Sequence, residues 1–405
     1  MSYNKVANVS EATRSKADKP KANELNAMPS IDTDSANTLN IKLTRGTLQL
    51  KPQSAHSEWS LDQLMGFAER INPKRSFLFV SKVLGKHIPV KPSVMQKSYH
   101  DLAAMIPKDL PQPITVIGMA ETAVCLAAGV YQALSSDYSD MVFITTTRHP
   151  LNDQPILAEF QEEHSHAMSQ LLYGSNDADL QAHIFNSKTL ILIDDEASTG
   201  KTFVNLVSAL KQAGLRHIEQ IVTTTLVNWS SLTRIDDTPT THVALMTGMW
   251  QWQADAQQQA PDMPKVDHVA HGQYPIVAPQ TFGRIPVKLP TNSWIKLRPK
   301  FTGERILVIG TCEYAWPPFL AALSLEQQGA MVKFSSTTRS PILEGHSIAT
   351  KISFDDNYGL GMPNFIYNIQ PEQYDRILII AETSHQSIDP QLIALLPNSE
   401  IITYD

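Results

Sequence analysis

The sequence predicts an α/β protein made of two doubly wound, mostly parallel-sheet units behind a disordered N-terminal tail. Three observations predict this class: strand-length apolar runs are continuous rather than alternating, helix-length segments separate them, and the pattern occurs twice. Continuous apolar runs are typical of parallel strands buried on both faces, and alternating strands and helices are typical of a doubly wound sheet. A chain of 405 residues is long enough for two such units.

Charge and cysteine content exclude several classes of protein. The formal net charge of −7 argues against a dedicated nucleic-acid surface or a polybasic membrane surface. Two cysteines, Cys125 and Cys312, are too few for a disulfide scaffold or a Cys-rich zinc site. For Cys312 an inert thiol is favoured over a nucleophile, because nothing in the sequence marks a base for it. We expect a cytoplasmic protein with no targeting segment, no membrane span and no nucleic-acid partner.

The N-terminal part has few apolar patterns. Residues 1–40 are rich in Ser, Ala, Asn and Lys, which predicts a disordered tail. Residues 41–50 alternate weakly and predict a strand, and a helix is expected from about Leu61 to Arg70. A basic segment with an apolar centre follows at 72–93.

The first unit is expected over residues 41–288. Its predicted strands are 114–118, 141–147, 189–195 and 220–227. Its predicted helices are 122–134, 156–172 and 201–213, the last ended by Gly214. A Gln-, Ala- and Pro-rich stretch at 251–273 lacks any period and predicts a linker.

The second unit, residues 289–405, resembles the first in its motifs. Its predicted strands are 305–310, 331–337, 376–382 and 400–404. VIGMAETA (116–123) matches VIGTCEYA (308–315), and each is followed by a T-R motif and then by an E-x-H-S-x-A motif. Three matches in the same order indicate a divergent copy of the first unit.

The segment TLILIDDEASTGKTF (189–203) carries the clearest chemistry. An apolar strand ends in Asp194 and Asp195, and small hydroxylated residues then open a helix. Amides and hydroxyls at a helix start bind an anion, whereas paired carboxylates suit sugar hydroxyls or a metal ion. A ribose 5-phosphate fits both halves of this turn. One alternative is a P-loop nucleotidase, which needs Gly where this sequence has Asp195, and another is a simple helix cap.

These residues resemble the phosphoribosyl-pyrophosphate (PRPP) signature of type I phosphoribosyltransferases, in which two acids and three further residues precede T-G-x-T. TTTRHP (145–150), EEHSHA (162–167) and STTRSPIL (336–343) narrow the resemblance to one bacterial group. That group joins an orotate-phosphoribosyltransferase-like domain to a C-terminal TRSP domain and is encoded in tellurium-resistance and stress-response gene clusters. The resemblance covers most of residues 41–405.

The resemblance implies roles for two loops. Asp194 and Asp195 are expected to hold the ribose hydroxyls. The turn that follows is expected to hold the 5-phosphate through Ser198, Thr199, Gly200, Lys201 and Thr202. The loop after the first core strand is expected to hold pyrophosphate with Mg²⁺ through Met119, Ala120, Glu121 and Thr122. Glu121 stands where relatives often have Lys, Arg or Gly, so it either joins Asp194 and Asp195 as a Mg²⁺ ligand or indicates a ligand other than pyrophosphate.

Other side chains are candidates with plain alternatives. Arg148 is expected to grip phosphate, unless it is solvated at its strand end. His164 and His166 are expected in a mobile hood as general acid or base, unless they lie on a hydrated helix face. Basic residues that could hold an acidic or phosphorylated substrate, or form an ordinary surface, are Lys74, Arg75, Lys86 and His87. Aromatic residues that could stack a base, but more commonly pack in a core, are Trp250, Trp252 and Trp316.

The resemblance implies a Mg²⁺-dependent transferase that moves ribose 5-phosphate between PRPP and a nitrogenous base, or the reverse on a nucleotide, in nucleoside-like metabolism for a stress response. The second unit lacks the paired Asp and the GKT, so we expect a non-catalytic copy. Its expected substrate contacts are Glu313, Thr338, Arg339, Ser340 and His346. The alternative function is a PRPP- or nucleotide-binding sensor without turnover. Expected partners are the small-molecule substrates, a second copy of the chain in a homodimer, and other proteins of the same gene cluster.

Overall fold

The computed structural model describes residues 38–72, 75–161, 169–255, 257, 272–277, 282–288 and 295–404, all within one compact unit. The strands are β1 (Leu39–Leu43), β2 (Gly46–Ala55), β3 (Met65–Glu69), β4 (Phe77–Ser81), β5 (Ile114–Gly118), β6 (Met141–Thr145), β7 (Ile156–Gln161), β8 (Ser169–Tyr173), β9 (Thr189–Ala197), β10 (Gln220–Asn228), β11 (Thr240–Ala254), β12 (Arg305–Gly310), β13 (Met331–Ser336), β14 (Lys351–Asp355), β15 (Pro363–Tyr367), β16 (Arg376–Ile380) and β17 (Ser399–Ile402). The α-helices are α1 (Leu61–Leu64), α2 (Pro92–Met105), α3 (Val124–Leu134), α4 (Ala178–Phe185), α5 (Lys201–Ala213), α6 (Trp316–Gln327) and α7 (Pro390–Leu395). None of the helices in these ranges is long and apolar enough to span a membrane.

The first sheet has seven strands in the order β1-β2-β11-β10-β9-β5-β6. Its five strands from β11 to β6 are parallel, whereas β2 and β1 are antiparallel additions at one edge. The parallel strands follow the doubly wound order 2-1-3-4-5, in which the direction of winding changes between β5 and β9. The loops after β5 and β9 therefore meet at the carboxyl edge where ligands bind in such sheets.

The second sheet has the order β13-β12-β16-β17, and all of its strands are parallel. In chain order this is 2-1-3-4, which repeats the first four positions of the first sheet. Each sheet also has an antiparallel hairpin between its second and third strands, β7–β8 in the first and β14–β15 in the second. The α/β class with parallel sheets is confirmed. The origin of the second unit as a copy remains an inference.

The two sheets share one hydrophobic core. Side chains of β5 and β12 belong to the same apolar cluster, together with α2, α3 and α6. Tyr99 of α2 packs edge-on against Phe319 of α6, with ring centroids 5.6 Å apart. α2 also approaches α3 so closely that a Cβ on Gly129 would lie 2.0 Å from Cδ2 of Tyr99. The opposite faces of the sheets are covered by α4 and α5 in one case and by α7 in the other.

A segment that lies in sequence between β2 and β5 of the first sheet pairs with the second sheet. The amide of Val90 donates to the carbonyl of Phe334 at 3.0 Å, and the amide of Phe334 donates back at 2.8 Å. The amide of Ser336 donates to the carbonyl of Gly85 at 2.9 Å. Residues 85–90 therefore cover the outer edge of β13.

Most strand predictions are confirmed, including β5, β9, β12 and β16, and helix α5 matches its predicted range. Two helix predictions are wrong. The predicted helix at 61–70 is one short helix followed by β3, and the predicted helix at 156–172 lies on the hairpin β7–β8. The predicted strand 41–50 contains a turn between β1 and β2, and β11 extends to Ala254, four residues into the predicted linker. The predicted tail lies outside the described residues except for its last three, which lead into and begin β1.

Candidate functional site

The acidic end of β9 lies at the winding change of the first sheet. Asp194 and Asp195 are half-buried, and the Asp195 amide donates to Asp194 Oδ1 at 2.9 Å. Burial and the neighbouring Glu196 raise the pKa of Asp195 to about 6. Arg75 pairs with Glu196 at 2.7 Å and lies over the ring of Phe77. This ion pair neutralises the charge of Glu196, so Asp194 and Asp195 supply the remaining acidic side chains at this strand end.

The turn after β9 is held from outside its own sequence. The indole nitrogen of Trp250 donates to the carbonyl of Ser198 at 2.9 Å, and Arg75 Nη1 lies 3.4 Å from Ser198 Oγ. Gly200 begins α5 with φ +76°, a left-handed conformation that favours glycine. A Cβ at Gly200 would also lie 2.7 Å from Leu232. The Lys201 amide donates to Thr199 Oγ1 at 3.4 Å. Since Gly200 has no side chain to cap α5, the next amides of the first helical turn keep their capacity to bind an anion.

The predicted pyrophosphate loop follows β5 directly beside this turn. The Met119 amide donates to the carbonyl of Ile193 at 2.9 Å, and the Ala120 amide donates to Thr146 Oγ1 at 2.8 Å. The peptide bond between Ala120 and Glu121 is cis. Met119, Ala120 and Glu121 are buried and Thr122 is half-buried, so Thr122 is the most exposed side chain of this loop.

Glu121 forms a buried ion pair with Lys86. Lys86 Nζ lies 2.7 Å from Glu121 Oε1, and only 3% of Lys86 is exposed. The same ammonium donates to the carbonyls of Cys312 at 2.8 Å and Thr337 at 2.9 Å, so it links the first sheet to the loops of the second. Burial raises the pKa of Glu121, but Lys86, Arg148 and Arg339 outweigh burial and the pKa is lowered overall.

Arg148, in the loop after β6, and Glu313, in the loop after β12, connect the two sheets. Arg148 Nη1 lies 4.0 Å from Glu121 Oε2, and its backbone amide donates to Glu313 Oε1 at 2.9 Å. Glu313 Oε2 also accepts from Thr147 Oγ1 at 2.6 Å and from Arg284 Nε at 2.9 Å. Although burial would raise the pKa of Glu313, the Arg284 charge and the hydrogen bonds from Thr147 and the Arg148 amide hold it far below its ordinary value. Glu313 therefore fixes the strand end that carries Arg148.

Sequence reasoning missed a second buried ion pair. Arg284 donates to both carboxylate oxygens of Glu382 at 2.7 Å, and Tyr358 Oη donates to Glu382 Oε1 at 2.6 Å. The available signal was Glu382 itself, a carboxylate at the end of the predicted strand 376–382. Nothing local marked Arg284, which lies in an irregular segment and reaches Glu382 only through tertiary structure.

Arg339, the arginine of the T-R-S-P tetrapeptide, lies buried beside His149. Its Nη2 donates to His149 Nε2 at 2.8 Å, and the Tyr358 ring packs against the imidazole with centroids 4.1 Å apart. Burial and the Arg339 charge hold the pKa of His149 well below its ordinary value, so the imidazole is neutral and accepts the hydrogen bond. His149 was also missed from the sequence, although it directly follows Arg148.

The remaining predicted residues divide into three groups. His164, His166 and Lys74 lie outside the described residues. Thr338 and Ser340 shape the Arg339 loop: Thr338 pairs through its backbone with Phe365, and its Oγ1 accepts from the Ser340 amide at 3.2 Å. His346 is part-exposed and lies 3.8 Å from Glu69, outside the contacts of Glu121, Arg148 and Arg339 given above.

Several predicted side chains have structural partners. His87 is buried against Tyr367, and burial lowers its pKa to about 3, so the predicted basic residue is a neutral imidazole. Trp250 and Trp252 pack on Phe77, whereas Trp316 is buried in the shared core. Burial raises the pKa of the Cys312 thiol to about 11, in accord with the expectation of an inert thiol.

The expected Mg²⁺ ligands do not all fit a metal. Within the described ranges no three His, Cys, Asp or Glu side chains are grouped so that they could hold a metal ion. Glu121 does not fit the expected role, because Lys86 lies where a cation would bind one of its oxygens and Arg148 faces the other. Asp194 and Asp195 do fit, because Mg²⁺ is often held by one or two carboxylates together with substrate phosphates.

Comparison with protein families decides the classification. Residues 64–249 match the family described as phosphoribosyl transferase (PRTase_2), and residues 289–396 match the family described as the TRSP domain C-terminal to it. Residues 64–249 thus belong to the phosphoribosyl transferase family, and a TRSP domain follows them. The predicted resemblance is confirmed, and Arg339 and Ser340 lie within the TRSP domain. No curated protein matches the chain in sequence.

Solved structures similar to the chain include phosphoribosyltransferases. Adenine phosphoribosyltransferase from Trypanosoma brucei has 14% identity and a TM-score of 0.31, and the match covers 45% of this chain and 77% of that one. The Rhodothermus marinus adenine enzyme has 15% identity, a TM-score of 0.30 and coverage of 45% and 95%. Orotate phosphoribosyltransferase from Aeropyrum pernix has 15% identity, a TM-score of 0.24 and coverage of 43% and 80%. Such low scores add nothing about substrate or activity.

Proposed function

We propose that the chain transfers ribose 5-phosphate between PRPP and a nitrogenous acceptor, in either direction, with Mg²⁺. The observation that carries this proposal is the turn at 194–202. It joins two adjacent carboxylates on β9, Asp194 and Asp195, to the first turn of α5, which has no side-chain cap. This turn lies where the direction of winding of the parallel sheet changes. Membership of the phosphoribosyl transferase family supports the same reaction class.

In this proposal the two halves of the turn hold different parts of the sugar phosphate. The amides and hydroxyls from Ser198 to Thr202 bind the 5-phosphate, because a helix start with no side-chain cap offers hydrogen-bond donors to an anion. Asp194 and Asp195 accept hydrogen bonds from the ribose hydroxyls. Fixing both ends of the ring orients C1 toward the loop after β5 and lowers the entropic cost of reaction.

The transfer itself breaks the bond between C1 and the pyrophosphate oxygen, and that electron pair leaves with pyrophosphate. The acceptor nitrogen supplies the electron pair of the new bond to C1, and its proton passes to a general base, for which the sequence offers His164 and His166. Positive charge develops on C1 and the ring oxygen, and the Asp194 and Asp195 carboxylates stabilise it electrostatically. Mg²⁺, held by this pair together with substrate phosphates, would neutralise charge on the leaving group.

One observation favours a second candidate, a PRPP- or nucleotide-binding sensor without turnover. The Glu121 carboxylate is already paired with the buried Lys86, so the loop after β5 brings a fixed ion pair to the place where a transferase binds pyrophosphate. A sensor needs the ribose phosphate turn but does not need this loop to stabilise a leaving group.

Pyrophosphate release separates the two functions. The full chain is incubated with PRPP, Mg²⁺ and a panel of nitrogenous bases, and PRPP binding is measured in parallel by calorimetry. For a transferase, Asp195→Asn is expected to lower kcat/KM by about 100-fold or more. The matched control is Glu219→Gln, which changes an exposed carboxylate at the opposite end of the same sheet and should leave the rate within about twofold. Binding that depends on Asp195 without turnover would support the sensor, and absence of binding of PRPP or any nucleotide would refute both.

A further inference from the structure

The TRSP domain carries a buried cation whose hydrogen-bonding capacity is largely unused. Arg339 is 4% exposed, and its Nη2 donates to His149. Within the described part of the chain, its Nε and Nη1 have no hydrogen-bond partner. A guanidinium has five N–H donors and stays protonated in proteins, so leaving it buried and largely unpaired is unfavourable.

The neighbouring carboxylates do not take the place of a partner. Glu121 pairs with Lys86, and Glu313 accepts from Thr147, Arg284 and the Arg148 amide. Both carboxylates act on Arg339 by electrostatic attraction only. Burial lowers the pKa of Arg339, but Cys312, Glu121 and Glu313 together raise it. His149 contributes no negative charge, because it is a neutral imidazole.

The charge balance of the described cluster is positive. Its cationic side chains are Lys86, Arg148, Arg284 and Arg339, and its carboxylates are Glu121, Glu313 and Glu382. Four positive charges face three negative ones in a region where water is scarce. One added anion would neutralise the cluster, and Arg339 has N–H donors to spare.

Two polar groups near Arg339 also lack partners within the described part of the chain. Ser340 is the residue after Arg339 in the loop, and its Oγ is buried. Asn364 Nδ2 is buried as well, and the Oδ1 of the same amide accepts from Cys312 Sγ at 3.2 Å. Since Cys312 interacts electrostatically with Arg339, the Asn364 amide lies in the same region.

We propose that Arg339, with Ser340 and Asn364, binds an oxyanion, a phosphate or carboxylate group of a small molecule, at the carboxyl edge of the TRSP sheet beside the loops of the phosphoribosyl transferase part. Arginine suits this role because its planar guanidinium matches the oxygens of phosphate and carboxylate groups. The site deepens the proposed function without depending on it, because its donors come from the second sheet and not from the turn at 194–202.

The test measures binding of inorganic phosphate, pyrophosphate and a small dicarboxylate to the full chain by calorimetry. Arg339→Gln is expected to weaken binding of the preferred anion by about tenfold or more, because it removes a charged partner. The matched control is Arg305→Gln, which changes an exposed arginine of β12 paired with Asp375 and should leave the affinity unchanged. Equal affinity in Arg339→Gln and wild type, or no binding of any of the three anions to wild type, would overturn the proposal.

Two further variants keep the result interpretable. If Arg339→Gln does not fold, Ser340→Ala provides a second test. It removes one hydroxyl and should weaken binding of the anion by several-fold, and an unchanged affinity in that variant would count against the site. Asp195→Asn should retain anion binding while it loses PRPP binding, so failure of this site and failure of the proposed function are distinguishable. Competition between pyrophosphate and PRPP that is lost in Arg339→Gln would identify the anion as part of PRPP, whereas Arg339-dependent anion binding that PRPP does not displace would identify a second molecule.

Discussion

Replacing Lys86 by methionine should destabilise the whole protein, because one buried ammonium serves both sheets. The substitution keeps the length of the side chain but removes the charge that faces Glu121 at 2.7 Å and the donors to the Cys312 and Thr337 carbonyls. Breaking a buried ion pair by removing one partner costs about 3–5 kcal/mol, and each buried acceptor left unpaired costs about 1–3 kcal/mol before relaxation. Because these costs overlap, we expect a fall of about 4–6 kcal/mol in the free energy of unfolding.

Urea denaturation followed by tryptophan fluorescence and circular dichroism measures this loss. The matched control is Lys97→Met on α2, whose ammonium pairs with Glu58 and Asp101 at the surface and should contribute about 0–1 kcal/mol. The double variant Lys86→Met with Glu121→Leu should recover part of the loss, because it removes the uncompensated carboxylate. A loss below about 1 kcal/mol for Lys86→Met, or a double variant no more stable than the single one, would refute the reasoning.

Two other predictions follow from particular contacts. Gly129→Ala should lower the free energy of unfolding by about 1–3 kcal/mol despite the better helix propensity of alanine, because the added Cβ meets Tyr99 at 2.0 Å. Chemical denaturation measures this loss. If adding Tyr99→Leu to Gly129→Ala recovered none of the lost stability, the steric explanation would be contradicted. PRPP affinity should rise with pH up to about 6 and then level off, because the raised pKa of Asp195 keeps its carboxyl protonated at lower pH. The same raised pKa means that the folded state holds this proton more tightly than the unfolded chain, so the contribution of Asp195 to stability falls as pH rises through that range. Calorimetry from pH 5 to pH 8 measures the PRPP affinity, and an affinity that does not change between pH 5 and pH 6 would contradict the assignment to Asp195.

The strands of both sheets could be read from the sequence because they are buried on both faces. Runs such as 189–193 and 305–309 are apolar at nearly every position, which local pattern alone reveals. The hairpin β7–β8 was mistaken for a helix because its strands are short and its apolar positions do not keep a strict period of two. The segment 85–90 could not be predicted, because its hydrogen bonds are made to residues nearly 250 positions later in the chain.

The candidate site shows the same difference between features that are contiguous in sequence and contacts between distant segments. The turn at 194–202 is continuous in sequence, so its acids, glycine and hydroxyls could be recognised together. The ion pairs of Lys86 with Glu121 and of Arg284 with Glu382 join separate segments, and their charges have no local signature. Glu121 was therefore predicted as a metal ligand, although its partner is an ammonium contributed by a distant loop.

The strip of backbone at 85–90 has a consequence for any attempt to study the TRSP domain by itself. Without that strip, the amides and carbonyls along the outside of β13 would be bare, and Met331 already leaves an apolar side chain exposed on the same strand. Unprotected strand borders recruit other polypeptides by adding strands, which leads to aggregation. A fragment that starts at residue 289 should thus precipitate or self-associate, and co-expression with a peptide spanning 82–91 should restore its solubility.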